Sequence, residues 1–120
     1  MAPQDAQHRM MNFGKLDRRI TFLRYSLTFN ADNEPIEAWT PDASPVWASW
    51  RRASARETLA SAEVNATATD VFEVRWSTSV STINPKDRLQ YQGQVYDIAA
   101  VVEIGRRDGL RIDASRRADT

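Results

Sequence analysis

Clusters of turn-forming residues cut this chain into short runs, and that punctuation restricts its fold more than any other feature. Ala31–Pro35 (ADNEP), Pro41–Pro45 (PDASP), Asn84–Asp87 (NPKD), Gly93 with Gln94, and Gly105–Gly109 (GRRDG) gather the residues that turns favour. Between them lie runs rich in β-branched and aromatic residues, several of which alternate apolar with polar positions. Alternation of that period belongs to strands with one buried face. Many such strands in 120 residues give a mainly β fold, most simply a small antiparallel β-barrel, whose closure removes exposed sheet edges. A hydrophobic content of 42% is enough for one domain with a real core.

The clearest local unit is DRLQYQGQVYDIA, residues Asp87–Ala99. Leu89 and Tyr91 alternate with Arg88, Gln90 and Gln92, and Gly93 can take the positive φ of a tight hairpin turn. Leu89, Tyr91, Val95 and Ile98 are the residues expected to enter the core. The second strand continues to about Ile104, and Leu110–Ile112 make a last short strand before a flexible tail over 114–120. Earlier, DRRITFLRYSLTFN (17–30) reads as a long strand that changes phase, with Ile20 and Phe22 on one face and Leu23, Tyr25, Leu27 and Phe29 on the other. A bulge or bend near Phe22 and Leu23 would bury both sets. Ile36–Thr40, with Trp39, pairs back against it.

VWASWRRA puts Trp47 and Trp50 on opposite faces. Either one fills the core while the other lies at a rim or interface, or both pack within the domain. Trp39 and Trp76 are expected inside. DVFEVRWS (70–77) sets Phe72, Val74 and Trp76 on a core face and Val71, Glu73 and Arg75 on a polar one.

Two segments lack large apolar residues in any period. Residues 1–16 form an N-terminal arm whose Met10, Met11 and Phe13 either fray or order on a neighbouring subunit. Ala53–Thr69 is a long inter-strand loop of Ala, Ser and Thr in which Ser54 and Glu57 fit a capping box, so a short helix is expected across Arg56–Ala62. A loop of that length inside a small domain is functional or disordered.

Function classes narrow by subtraction. Lys+Arg and Asp+Glu both number 16, so no whole-chain field draws the protein to nucleic acid or a membrane. The chain has no cysteine, and its one histidine, His8, lies in the arm, which leaves no nucleophile–base pair or histidine metal site. No catalytic residue, metal ligand or cofactor is expected, and the chain is read as a non-enzyme. The absence of an apolar leader in MAPQDAQHRMMNFG points to a cytoplasmic product. All but Lys15 and Lys86 of the basic residues are arginines, four pairs among them: Arg18-Arg19, Arg51-Arg52, Arg106-Arg107 and Arg116-Arg117. Arginine favours ordered contacts, so these residues are solvated, ion-paired, or brought together when copies assemble.

The order of elements resembles the head-tail joining proteins of long-tailed bacteriophages and gene transfer agents, the head-completion or stopper group. The likeness rests on LDRRITFLR, the turn before Trp39, VWASW with Arg51-Arg52, the loop with Glu57, FEVRW, and above all INPKDRLQYQGQVYDI. It implies a β-barrel over 17–113 that assembles in a six- or twelvefold ring with itself. Its partners would be a portal-side adaptor, a tail or tail-terminator protein, and double-stranded DNA passing through the channel, with no membrane. Such a subunit assembles in the bacterial cytoplasm and ends in the connector of the particle. The implied channel loop is 53–69, with Arg56, Glu57, Leu59, Glu63 and Val64 as its candidate residues. Met10, Met11, Phe13, Trp47, Arg51 and Arg52 are the candidate interface. The alternative is a monomeric barrel binding nucleic acid or a small ligand through exposed Arg88, Tyr91 and Tyr96.

Overall fold

The computed structural model describes residues 16–56 and 68–117. Seven strands follow one another: β1 (Arg18–Phe29), β2 (Pro35–Pro41), β3 (Val46–Arg52), β4 (Asp70–Arg75), β5 (Arg88–Tyr91), β6 (Gln94–Ile104) and β7 (Gly109–Arg116). A single 3-10 turn, Val80–Thr82, lies between β4 and β5. The strands run antiparallel in the order β1-β3-β4-β7-β6-β5, and β5 returns to β1, so six strands close the expected barrel. β2 stands outside that circuit and, among the described residues, pairs with β1 alone.

Alternate residues of each strand fill the interior. Ile20 and Phe22, Phe72 and Val74, Leu89 and Tyr91, Tyr96 and Ile98, Leu110 and Ile112 form one buried cluster, plugged by Val80 and Ile83. Tyr91 and Tyr96 meet Phe72 edge-on at centroid distances of 5.5 and 5.4 Å, which places ring edges against a ring face. Each fully buried side chain of this kind, such as Phe22, stabilises the fold by about 1.5–3 kcal/mol.

The hairpin turn has φ of 52° at Gln92 and 77° at Gly93, the doubly left-handed geometry whose twist matches two-residue hairpins. The turn is therefore Gln92–Gly93 and not Gly93–Gln94. Its register opposes Leu89 to Tyr96 and Gln90 to Val95, so Tyr96 takes the core place expected of Val95.

The sheet does not slip where the phase of β1 predicted. β1 keeps continuous register with β2 and β5 through Phe22 and Leu23, and Leu23 is buried as the strand leaves the barrel. Leu27 and Phe29, expected to be buried, are 47% and 60% exposed. The shift lies instead in β6, where Ile98 opposes Ala114 and Ala100 opposes Asp113, leaving Ala99 as the extra residue. That bulge lets Ile98 and Val101 both reach the core across an odd spacing. The last strand also runs past Ile112 to Arg116, with Ala114 fully buried.

Beyond the barrel, β1 and β2 continue as a two-stranded arm, fastened at its base. The buried Asp87 carboxylate accepts from Tyr25 N–H at 2.8 Å and from Asn84 N–H at 3.1 Å, and Arg24 Nε stands 3.4 Å away. Trp39, expected inside the core, lies on the arm instead. Its indole N–H donates to Lys86 O at 2.8 Å, its ring meets Tyr25 at 5.4 Å, and Arg88 stacks on it at 3.5 Å. The arm leaves the end of the barrel opposite the connection from β3 to β4, because β1 runs antiparallel to β3.

Candidate functional site

The chain leaves the barrel at Arg52 and returns at Asp70, residues that oppose each other in the β3–β4 register. Ala53 N–H donates to Thr69 O at 3.0 Å, extending the ladder beyond both strands, and Thr69 N–H donates to Ala114 O at 2.9 Å. Residues 55 and 56 have helical backbone and Arg56 is exposed, and the rest of the helix expected over Arg56–Ala62 lies outside the described residues. Glu57, Leu59, Glu63 and Val64 lie outside the described residues, as do Met10, Met11 and Phe13.

Asp70 organises this base. It is buried, and its two carboxylate oxygens accept from Trp50 Nε1 at 2.8 Å and the Thr69 hydroxyl at 2.6 Å. A buried carboxylate so matched acts as a fastener, because removing either donor would leave desolvated charge. Trp50 is thus the inward member of the tryptophan pair. It faces Tyr91 at 6.2 Å, while Arg18 lies 5.6 Å over the indole and donates to the Tyr91 hydroxyl at 2.9 Å. Burial first, and the charge of Asp70 second, push the Tyr96 hydroxyl above its ordinary value, with Arg116 opposing, so this phenol is neutral at neutral pH.

Arg18, Arg52 and Arg116 come together around a cleft of about 390 Å³ at this base. They are drawn from three of the four arginine pairs, and their sequence neighbours point elsewhere. Arg19 lies over Trp47 at 4.4 Å, Arg51 is exposed, and Arg117 binds Asp97 at 3.0 Å. Trp47 itself is 51% exposed on the outer wall of the barrel. Each of the four tryptophans carries a guanidinium: Arg88 on Trp39, Arg19 on Trp47, Arg18 on Trp50 and Arg107 on Trp76. Flat, weakly hydrated cations suit that stacking, which gives the arginine bias a structural use.

Sequence reasoning named Arg52 as a candidate interface residue and Arg56 as a candidate loop residue, and it did not pick out the fastening by Asp70, Trp50 and Thr69. The only signal was an Asp opening the alternating run after the loop. Convergence of the arginines was not readable, since neighbours on a strand point to opposite faces and only the register decides which ones meet. Among the described residues, no three His, Asp or Glu side chains gather as a metal-holding group. The matched donors and the cationic margin make this a place that anchors a loop and presents positive charge beside it.

Comparison with known proteins agrees with the order of elements. A family model described as phage head completion protein matches residues 11–117. Among solved structures, the solution structure of protein SF1141 from Shigella flexneri 2a superposes with a TM-score of 0.72 at 26% identity, covering 92% of this chain and 100% of that one. A chain from the virion of a native gene transfer agent particle superposes with a TM-score of 0.57 at 17% identity, covering 83% of this chain and 92% of that one, a likeness of fold. No curated protein sequence matches. The chain belongs to the phage head completion protein family, a family of structural proteins of phage particles.

Proposed function

We propose that this chain is the connector subunit that forms a ring, six- or twelvefold, between the portal-side adaptor and the tail. In this role it retains packaged double-stranded DNA and gives the tail its platform. The reading builds on family membership, and the observation that carries it is the base of the 53–69 loop. The segment starts and ends at Ala53 and Thr69, whose backbone bond closes the barrel's end so that the core does not depend on the residues between them. That is what an element facing a channel requires.

Charge and composition fit the same role. Arg18, Arg52 and Arg116 put cations at the loop end, where a passing phosphate backbone would be drawn. The Ala, Ser and Thr of the loop let several copies approach closely, and Glu57 and Glu63 disfavour lasting adhesion to DNA. The binding-module alternative needs Tyr91 and Tyr96 as open stacking platforms. Both are 6% exposed and packed edge-on against Phe72, so the side chains it relies on serve the core.

The test is deletion of residues 55–67 in the full particle, imaged by electron microscopy. The shortened chain is expected to fold with an unchanged circular dichroism spectrum and to occupy the head-tail junction. Its particles should lose DNA or fail to join tails. Particles that keep both DNA and tails would refute the loop's role, and absence of the intact chain from that junction would refute the connector reading.

A further inference from the structure

The β1–β2 arm is used neither by the core nor by the loop reading, and its two edges differ. Asn30 N–H donates to Glu34 O and Asp42 N–H to Phe22 O, which marks the even-numbered residues of both strands as those bonded across the arm. The odd-numbered residues turn their backbone groups outward. Tyr25 N–H, for one, points away from β2 and into the Asp87 carboxylate.

On the β2 side the outward positions are Pro35, Glu37, Trp39 and Pro41. The proline at each end has no N–H to give, so this edge is guarded against a further strand. The β1 side has no such guard. There β5 pairs with Thr21–Leu23 and stops, Asp87 takes the next N–H, and the amides of Leu27 and Phe29 then have no partner among the described residues. Both side chains are exposed as well. The lane that β5 fills against β1 therefore runs on, open, for about 14 Å from Tyr25 to Phe29. An edge of alternating N–H and C=O groups is matched by an extended peptide.

Charge says which peptide. Between Ser26 and Thr40 lie three acids, Asp32, Glu34 and Glu37, and no Lys or Arg. Glu34 accepts from Asn30 Nδ2 at 2.9 Å and Glu37 from the Tyr25 hydroxyl at 3.0 Å, neutral donors that leave the negative charge in place. At the base of the arm the cations are matched or set back: Arg24 meets Asp42 and Asp87, Arg88 meets Asp97, and Lys86 lies 5.4 Å over the Tyr25 ring.

We propose that the Tyr25–Phe29 edge of β1 is a strand-addition site for an extended segment of a partner protein, with apolar residues opposite Leu27 and Phe29 and lysine or arginine beside the acidic tip. The segment runs antiparallel to β1, as β5 does in the same lane. Its cations stand at its N-terminal end, because β1 runs toward the tip. Main-chain hydrogen bonds hold it, Leu27 and Phe29 add apolar contact, and the acids select the sign of its end. This recognition is independent of the loop and of any ring.

Amide hydrogen exchange, read by NMR on the full-length chain, tests it. In the free chain the Ser26 and Thr28 amides, bonded to β2, should exchange slowly and those of Leu27 and Phe29 fast. Slow exchange at Leu27 and Phe29 would mean that residues 1–15, residues 57–67 or a second copy already cover the edge, and would overturn the proposal. The probe is an eight-residue peptide of two lysines followed by alternating valine and threonine. At saturation it is expected to slow Leu27 and Phe29 about tenfold and to leave Glu37 and Trp39 unchanged. A counterpart beginning with two glutamates should bind about tenfold more weakly. Leu27→Pro removes one outward N–H without touching a β1–β2 bond, and should weaken the lysine peptide by about tenfold. No slowing by the lysine peptide, slowing at Glu37 and Trp39 instead, equal binding of the two peptides, or unchanged binding by a folded Leu27→Pro chain would each overturn the assignment. The readings on the unaltered chain decide it even where that variant fails to fold.

Discussion

Replacing Asp87 with alanine tests how the arm is held. The carboxylate is 3% exposed as a residue and accepts two backbone N–H groups, Tyr25 at 2.8 Å and Asn84 at 3.1 Å. Hydrogen bonds to a charged group contribute about 1.5–3 kcal/mol each, and both donors lose their partner together in Asp87→Ala. Arg24 adds less. Its Nε lacks a hydrogen bond, and its other nitrogens keep Thr82 at 2.7 Å and Asp42 at 3.6 Å. Taking the low end for both backbone bonds, because the donors are only part-buried, the expected loss is about 3 kcal/mol. At roughly 4 °C per kcal/mol for a domain of this size, Tm falls by about 12 °C. Asp87→Asn keeps one acceptor oxygen and should lose about half as much. Urea unfolding followed by tryptophan fluorescence, with unchanged slope, measures the difference. A loss below about 1 kcal/mol in Asp87→Ala would refute the assignment of Asp87 as the arm's fastening.

Gly93→Ala isolates backbone strain, since φ is 77° and an added Cβ meets nothing within 4 Å. It should cost about 1–2 kcal/mol in the same unfolding assay, and a neutral result would contradict the left-handed turn. The Tyr96 hydroxyl, raised above 10.0 chiefly by burial, binds its proton more tightly in the folded than in the unfolded chain. Stability is therefore complete below pH 10 and declines as pH rises past it toward the folded value. Tyr96→Phe should lack that share of the alkaline decline, and an identical alkaline profile would refute it.

The barrel was legible because the strands that face one core carry the alternation: Phe72, Val74, Leu89 and Tyr91 are where the pattern puts them. β1 misled because its second apolar set, Leu27 and Phe29, continues past the barrel into the arm, and a sequence pattern does not tell a buried face from a bare one. The slip in β6 was invisible for a different reason. Ala99, Ala100, Val101 and Val102 are all apolar, so no phase change marks the extra residue. Trp39 was misplaced because its burial depends on Lys86 and Arg88, far away in sequence. At the loop base, Arg52 and Arg56 carried a local signal, whereas Asp70 matters only through its opposition to Arg52 and its bond to Trp50.

The seam between β1 and β5 bears on how the molecule is made. It spans only Thr21–Leu23 against Arg88–Gln90, joining one of the first strands synthesised to one that emerges much later. Pairing across that separation carries a larger chain-entropy cost than the local hairpins do. Asp87 precedes this seam on one side, and Tyr25 follows it on the other, so their bond continues the pairing by a side chain where the strands have parted. Closing the barrel and fixing the arm are then a single event. A nascent chain has no sealed core until β7, which joins β4 to β6, has also been made, so the barrel closes only when almost the whole chain is present.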